Sequence, residues 1–198
     1  MNNAPYEIIA APFTVWLADV GTSYPAVGAV PSGSWLKLGA SGDVNINEDG
    51  VSVSHPQNVE KLRTLGSTLP VKAFRTEEDL IISFMLLDLR LEMYRHVLNG
   101  NSLNDVDAVA GVPGYKSLPF YRGPDVTQQA LLIRGLSAYG DGMYADFRVP
   151  KVVHIGEPEV ISKKGEPSGL AFELHAIRDD SYAGGVAGEL VMQDAAAL

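Results

Sequence analysis

The chain has 198 residues, 46% of them hydrophobic and 20% charged, which is the composition of a globular protein and argues against overall disorder. A formal net charge of -9 disfavours tight binding of nucleic acid, because a surface of that sign repels phosphate. The absence of cysteine excludes disulfides, thiolate metal sites and cysteine nucleophiles.

The first twenty residues contain no basic stretch, and Glu7 and Asp19 lie around their broken apolar run. A signal peptide begins with positive charge, and a membrane span needs about twenty apolar residues. We therefore expect a soluble protein that is not exported by the signal-peptide route and has no membrane partner.

Twenty glycines and twelve prolines divide the chain into short segments, as a mainly-β domain requires. Residues 22–34 are predicted to form an extended loop, and the sequences at 140–142 and 162–169 fit hairpin connections. We expect one domain over residues 1–182, followed by a small-residue-rich tail, 183–198, that is loosely held or docked onto a neighbour. The segments of strand composition are 13–17, 35–38, 51–54, 58–65, 71–87, 118–123, 127–139, 143–155 and 169–177.

Residues 75–101 fit two different structures. Thr76, with Asp79 three residues later, resembles the start of one long helix. Between Leu80 and Leu87, however, only Ser83 is polar, and a helix that is apolar on every side would have to be buried all round. A strand needs only two covered faces, so we predict a strand in this part of the segment.

A helix of about three turns is predicted to follow that strand. Asp88 is the expected N-cap, and Asn99-Gly100 is the expected stop signal. The apolar residues that recur at helical spacing between them are Leu91, Tyr94, Val97 and Leu98.

Three short motifs imitate chemical sites but lack the context that such sites need. Residues 140–145 match GxGxxA, yet they lie between two predicted strands and open no helix, so a hairpin is favoured over a dinucleotide site. Residues 43–54 begin like an EF-hand loop, but Glu48 stands where glycine is required, and a strand ending in a turn at 48–50 is favoured. The oxygen-rich residues 99–107 are expected to form turns and not to bind metal.

No other pattern indicates catalysis. The sequence has no GxSxG elbow, and the adjacent carboxylates Glu77, Glu78 and Asp79 would alternate in direction along a strand and could not share one site. We therefore expect no enzymatic activity, no cofactor and no metal. The four histidines show no metal-site spacing and are each expected to be isolated surface or strand residues: His55, His96, His154 and His175.

One long pattern resembles a known family. The sequence GVSVSHPQNVEKLRTLGSTLPVKAFRTEEDLIISFMLLDLRLEMYRHVLNGN, with the earlier APFTVWLADVGTSYP and WLKLGASGD, is similar to the tail tube proteins of long-tailed bacteriophages and prophages. The resemblance covers residues 10–101, and its most specific parts are GSTLPVKAFRTEED and LLDLRLEMY. Arg90 departs from the pattern, because a small hydroxyl residue is expected there before the helix.

This resemblance implies a β-sandwich or open barrel with one flanking α-helix, assembled into hexameric rings that stack into the hollow tube through which DNA leaves the virion. The implied partners are other copies of the chain, the tape measure protein, the tail terminator, and baseplate or tip proteins. The protein would assemble in the host cytoplasm and reside in the virion tail. Six copies carry 6 × -9 = -54 formal charges per ring, and a lumen of that sign would let DNA pass without tight binding.

The resemblance also implies which residues take part in assembly. An extended loop around residues 61–78 would contact the adjacent ring, and neighbouring subunits would complete the edges of the apolar strand. The candidate contacts between subunits or rings are Lys61, Arg63, Lys72, Arg75, Glu77, Glu78 and Asp79. The candidate strand and helix packing between subunits involves Leu80, Ile82, Phe84, Leu86, Leu91, Tyr94 and Leu98.

Three other functions stay open on the sequence. A tube component of a contractile injection or type VI secretion system would share the ring-forming fold. A β-rich module that binds carbohydrate or protein would form no tubes and would show a ligand-dependent thermal shift. An acid hydrolase that uses carboxylates is the third, although no motif supports it.

Overall fold

The computed structural model describes residues 9–39, 45–137, 143–160, 162, 164–165, 167–182 and 184–193. Its described part is mainly β with one α-helix, which confirms the predicted fold class. The strands are β1 (Ile9–Asp19), β2 (Leu36–Lys37), β3 (Ile46–Ser54), β4 (Gln57–Leu62), β5 (Lys72–Glu78), β6 (Ile81–Leu86), β7 (Asn104–Val106), β8 (Tyr115–Ser117), β9 (Gln129–Ser137), β10 (Tyr144–His154), β11 (Leu170–Ala176) and β12 (Glu189–Met192). The helix is α1 (Leu91–Val97).

One large antiparallel sheet forms the body of the protein. Its strand order is β2-β1-β9-β10-β11-β6-β3, and β12 pairs with β10 beside this path. Strands β1 and β3 stand near opposite ends of the order, yet they contact each other, so the sheet curls around its own core. Phe13 of β1 and Val53 of β3 line one cavity with Phe147 of β10. The curled sheet agrees with the predicted open barrel or sandwich.

Buried side chains alternate with more exposed ones along the strands, and the buried ones form the main core. Ile82, Phe84 and Leu86 of β6 are buried, and Phe172 of β11 stacks on Phe84 with 4.9 Å between the ring centroids. Met85 is 39% exposed on the opposite face of β6. Within one chain the alternation is therefore that of a half-buried strand, and covering of the second face by a neighbouring subunit stays a prediction.

A second apolar layer lies on the other face of the sheet. Trp16 of β1 and Leu132 of β9 point into it, and the loop 20–35 covers them with Tyr24 and Trp35. The indole nitrogen of Trp35 donates to the carbonyl oxygen of Ser23 at 3.1 Å, which ties the loop to itself. The loop predicted at 22–34 is therefore present, and it acts as a cover for this half of the sheet.

Several predicted strand boundaries need correction. The segment 71–87 is two strands, β5 and β6, separated at Asp79-Leu80, and residues 118–123 form no strand. The turn expected at 48–50 is a bulge inside β3, where the register shifts between Ile46 and Val51. Within the tail that was expected to be loosely held, β12 forms backbone pairs with β10.

Both predicted hairpin connections lie between antiparallel neighbours. Strands β9 and β10 flank the first connection, and β10 and β11 flank the second. Residues 140–142 of the GxGxxA motif lie outside the described residues. Tyr144, just beyond them, is in β10 and pairs with Leu136 of β9, so the motif precedes a strand and not a helix.

The helix begins later and is shorter than predicted. It has seven residues, about two turns, and its N-cap is Arg90, which makes no side-chain capping bond. Asp88, the predicted N-cap, instead accepts hydrogen bonds from Nε of Arg90 at 3.1 Å. The predicted stop is confirmed, since Asn99 (φ 66°) and Gly100 (φ 73°) adopt left-handed conformations.

No helix in the described ranges is long and apolar enough to cross a membrane.

Candidate assembly surfaces

Strands β3 and β6 continue beyond the sheet as β4 and β5, so the four strands form one long hairpin. Val51 pairs with Phe84 inside the sheet and Gln57 with Glu78 outside it, which keeps one register, and a backbone hydrogen bond of 3.0 Å bridges the junction. At about 3.3 Å per residue, the part from Gln57 outward reaches on the order of 20 Å. We call residues 57–78 the outer hairpin.

Both strands of the outer hairpin are exposed along their whole length. Every residue of β4 and β5 is exposed, and the two strands form a small sheet of their own. A lone two-stranded hairpin is marginally stable in water, and clustered exposed apolar side chains mark contact surfaces. Its exposed apolar residues are Val59, Leu62, Leu65, Leu69, Val71 and Phe74.

The end of the outer hairpin is basic. Residues 61–72 contain three cations and no acidic residue: Lys61, Arg63 and Lys72. Arg63 donates from Nη1 to the carbonyl oxygen of Thr68 at 2.8 Å and so holds the terminal loop. Within the described part of the chain, Lys61 and Lys72 take part in no ion pair, and both are exposed. Their charge is free for a contact with another molecule.

The remaining predicted contact residues lie at the base of the outer hairpin. Arg75 pairs with Glu78 of the same strand at 2.9 Å and donates to Oε1 of Gln57 at 2.9 Å. Glu77 and Asp79 are exposed. Arg75 and Glu78 thus have partners within their own chain, and an exposed pair of this kind contributes only about 0–1 kcal/mol.

The predicted packing residues are mostly internal. Leu80, Ile82, Phe84, Leu86 and Leu98 are buried in the core of the chain, while Leu91 and Tyr94 are half-buried against it. Both edges of β6 are also occupied, by β3 and β11 of the same chain. Within one chain these seven side chains therefore belong to the core or pack against it, and their packing between subunits stays a prediction.

An open cleft of about 290 Å³ lies where β3, β6 and β11 meet the residues after β10. Its apolar lining includes Met85 and Phe172, and three carboxylates surround it, those of Asp49, Glu157 and Glu173. Among the described residues that line it, none is a lysine or an arginine. We call it the acidic cleft. Sequence reasoning missed it, because Asp49 lies more than a hundred residues before Glu157 and Glu173 in the chain.

A second exposed arm leaves the body between residues 103 and 126 and includes the small sheet of β7 and β8. It exposes aromatic side chains, among them Phe120 at 76% and Tyr115 at 63%. Asn99 fastens it to the end of α1, since Nδ2 donates to the carbonyl oxygens of Arg122 at 2.8 Å and Asp125 at 2.6 Å. The oxygen-rich segment 99–107 thus bonds to backbone, and no group of metal ligands is found in the described ranges.

His96 and His154 are not isolated, because both line one cavity of about 180 Å³ beneath this arm. Gln129 lies 3.5 Å from Nδ1 of His96. Nε2 of His154 is buried and has no hydrogen-bond partner. Burial lowers the pKa of both histidines, and the charges of Arg95 and Arg122 lower it further.

Acidification below about pH 6.5 is expected to destabilise the fold through these two histidines. The pKa of each histidine is lower in the folded chain than in the unfolded chain. Below about pH 6.5 the unfolded chain therefore binds protons that the folded chain does not bind, and the free energy of unfolding falls as the pH drops. Urea unfolding at pH 7.5 and at pH 5 checks this. A His96→Gln/His154→Gln protein should lose less stability between the two pH values, and an equal loss would contradict the assignment.

No protein-family model matches this chain, and a search of curated proteins finds no significant match. The assignment of function therefore depends on the surfaces described above and on the sequence resemblance.

Proposed function

We propose that this protein is a structural virion protein, the tail tube protein of a long-tailed bacteriophage or prophage. In this proposal six copies form a ring, and the rings stack into the conduit for DNA ejection. The tape measure protein, the tail terminator and baseplate or tip proteins are its further partners. It assembles in the host cytoplasm, resides in the virion tail, and has no catalytic role.

The observation that carries this proposal is the outer hairpin. It projects on the order of 20 Å from the sheet and exposes six apolar side chains to solvent. Such a surface costs free energy in an isolated molecule and is covered in an assembly. Its place in the chain is that of the extended loop which the resemblance implies for contacts between rings.

The charge of the chain supports the same proposal. A formal net charge of -9 per copy makes a ring strongly acidic, and an acidic lumen repels phosphate and lets a duplex slide. Electron microscopy of the concentrated protein tests the proposal directly. We expect rings or tubes with a channel wide enough for a duplex of ~20 Å, as the groove dimensions of B-DNA require. Particles that stay monomeric at every concentration would count against it.

Replacing Leu65 and Leu69 together by aspartate is expected to abolish tube formation without unfolding the protein. Leu65 is wholly exposed and Leu69 is 73% exposed, so neither contributes to the core of a single chain, and surface changes of this kind alter stability by only about 0.5 kcal/mol. In a contact between copies, however, each aspartate would bury an unpaired charge. Sedimentation and negative-stain images measure the result.

A Val30→Asp protein is the matched control. Val30 is 84% exposed in the loop 20–35, on the other side of the sheet, and should tolerate the charge with tubes intact. Tubes from the Leu65→Asp/Leu69→Asp protein as abundant as those of the unchanged chain would exclude the outer hairpin from assembly.

A further inference from the structure

We infer that the acidic cleft is the receptor for the basic end of the outer hairpin of a second copy of this chain. The inference rests on the proposed function, because both require copies stacked head to tail. It goes beyond that function by assigning the receiving surface, which the sequence resemblance leaves unassigned.

Charge complementarity is the first support. The hairpin end carries three cations within residues 61–72, and the cleft is surrounded by three carboxylates. Two neighbouring groups modify this charge. His175 contacts the carboxylate of Glu173 at 2.9 Å, and Arg122 donates to the carbonyl oxygen of Gly156 at 3.3 Å. The carboxylates of Asp49 and Glu157 lie free of cations in the described ranges. Opposite charges on two surfaces steer the encounter and fix its register.

The apolar surfaces match as well. The hairpin end projects Leu65 and Leu69 into solvent, and the cleft offers the half-exposed Met85 together with Pro158 and Ala171. A buried apolar centre surrounded by charged groups is the usual arrangement of a specific protein contact. Within the described ranges, neither surface has a partner of this kind in its own chain.

The direction of the hairpin excludes a contact within one molecule. The outer hairpin leaves the body at the end of β3 and β6 where Ser54 pairs with Ile81. The cleft is lined by residues toward the opposite end of the same strands, such as Asp49 and Met85. From the pair Val51↔Phe84 to the end of the ladder, eleven residues span on the order of 36 Å. The basic end therefore points away from its own cleft.

A contact between two different surfaces of the same chain is heterologous, and it repeats without limit unless a rotation closes it. Each copy would present one free hairpin end and one free cleft. Head-to-tail addition along the direction of the long hairpin follows, which is the geometry that stacked rings need.

Site-directed cross-linking tests this pairing, because the chain has no cysteine of its own. A Leu65→Cys protein is mixed with a Ser52→Cys protein at high concentration under mild oxidation. Both positions are exposed, so the substitutions leave the fold intact. We expect at least tenfold more cross-linked heterodimer than when a Val30→Cys protein takes the place of the Ser52→Cys protein. Val30 is exposed and lies outside the cleft. A yield equal to that of the control would overturn the inference.

Charge exchange sharpens the test. Lys61→Glu with Lys72→Glu in the hairpin partner should lower the cross-link yield at least tenfold, since like charges in contact cost more than 1.4 kcal/mol. Adding Asp49→Lys with Glu157→Lys to the cleft partner should restore it. If the two hairpin substitutions lower the cross-link yield and the two cleft substitutions do not restore it, the cleft is not the receptor.

The outcomes separate this inference from the proposed function. Tubes without the cross-link would leave the proposed function standing and overturn the pairing of hairpin and cleft. A specific cross-link between copies that form no tubes under any condition would support the pairing and contradict the tail tube.

Discussion

An Asp146→Ala protein is expected to lose about 3–5 kcal/mol of its free energy of unfolding, the typical cost of breaking a buried ion pair on one side. Asp146 is fully buried and accepts two hydrogen bonds from Arg134, at 2.6 and 2.7 Å. Arg148 lies 3.7 Å from the same carboxylate. Without it, the guanidinium group of Arg134 would stay buried with no counter-charge, and Arg148 would keep only Glu189, at 3.6 Å. Urea unfolding, analysed at constant slope, measures the loss.

The same two arginines hold the loop 20–35 on the sheet, so a local effect should accompany the global one. Arg134 donates to the carbonyl oxygen of Ala29 at 2.7 Å, and Arg148 donates to that of Pro25 at 2.8 Å. In the Asp146→Ala protein these cations lose their fixed orientation. We expect faster proteolysis within the loop and a red shift of the fluorescence of Trp35, which the loop keeps buried.

The control for Asp146 is an exposed pair of the same residue types. Arg178 and Asp180 form an ion pair whose side chains are 73% and 79% exposed. Asp180→Ala should therefore change the free energy of unfolding by no more than about 0.5 kcal/mol.

An Arg134→Met/Asp146→Leu protein is a second control. It should recover part of the stability that Asp146→Ala loses, because it removes both charges together. Equal effects of Asp146→Ala and Asp180→Ala would show that the buried network contributes nothing.

The fold class could be predicted because its signals are local. A strand within residues 80–87 is predicted because a helix there would be apolar on every side, and β6 (Ile81–Leu86) forms in this segment. The helix stop at Asn99 and Gly100 follows from the left-handed conformation that these two residue types tolerate. Neither prediction needs knowledge of what lies across the sheet.

The features that sequence reasoning missed depend on contacts between distant strands. Arg134 and Asp146 meet only because β9 and β10 pair in one particular register, and a shift of one residue would separate them. The composition of residues 118–123 favours a strand, but Asn101 binds the backbone carbonyl oxygens of Pro119 and Tyr121 and leaves them unavailable to a sheet. Packing of this kind overrides local propensity.

An Asn99→Ala protein is expected to lose about 4 kcal/mol of its free energy of unfolding. The side chain of Asn99 donates to the carbonyl oxygens of Arg122 and Asp125 and accepts from the backbone nitrogen of Thr127. Each such bond contributes about 1 kcal/mol, and a left-handed alanine costs about 1 kcal/mol more. Limited proteolysis should also cut the arm at 103–126 more rapidly, because these bonds fasten it to the end of α1.

Two further substitutions at Asn99 separate the conformational part of this loss from the hydrogen-bonding part. Asn99→Gly removes the same three bonds but tolerates the φ of 66°, so it should be more stable than Asn99→Ala by about 1 kcal/mol. Asn99→Asp keeps the acceptor for Thr127 but turns a carboxylate oxygen toward two carbonyl oxygens, which repel it. If Asn99→Asp were as stable as the unchanged chain, the donor bonds to Arg122 and Asp125 could not be what holds the arm, and the bonds from Thr127 to residue 99 would have to do so.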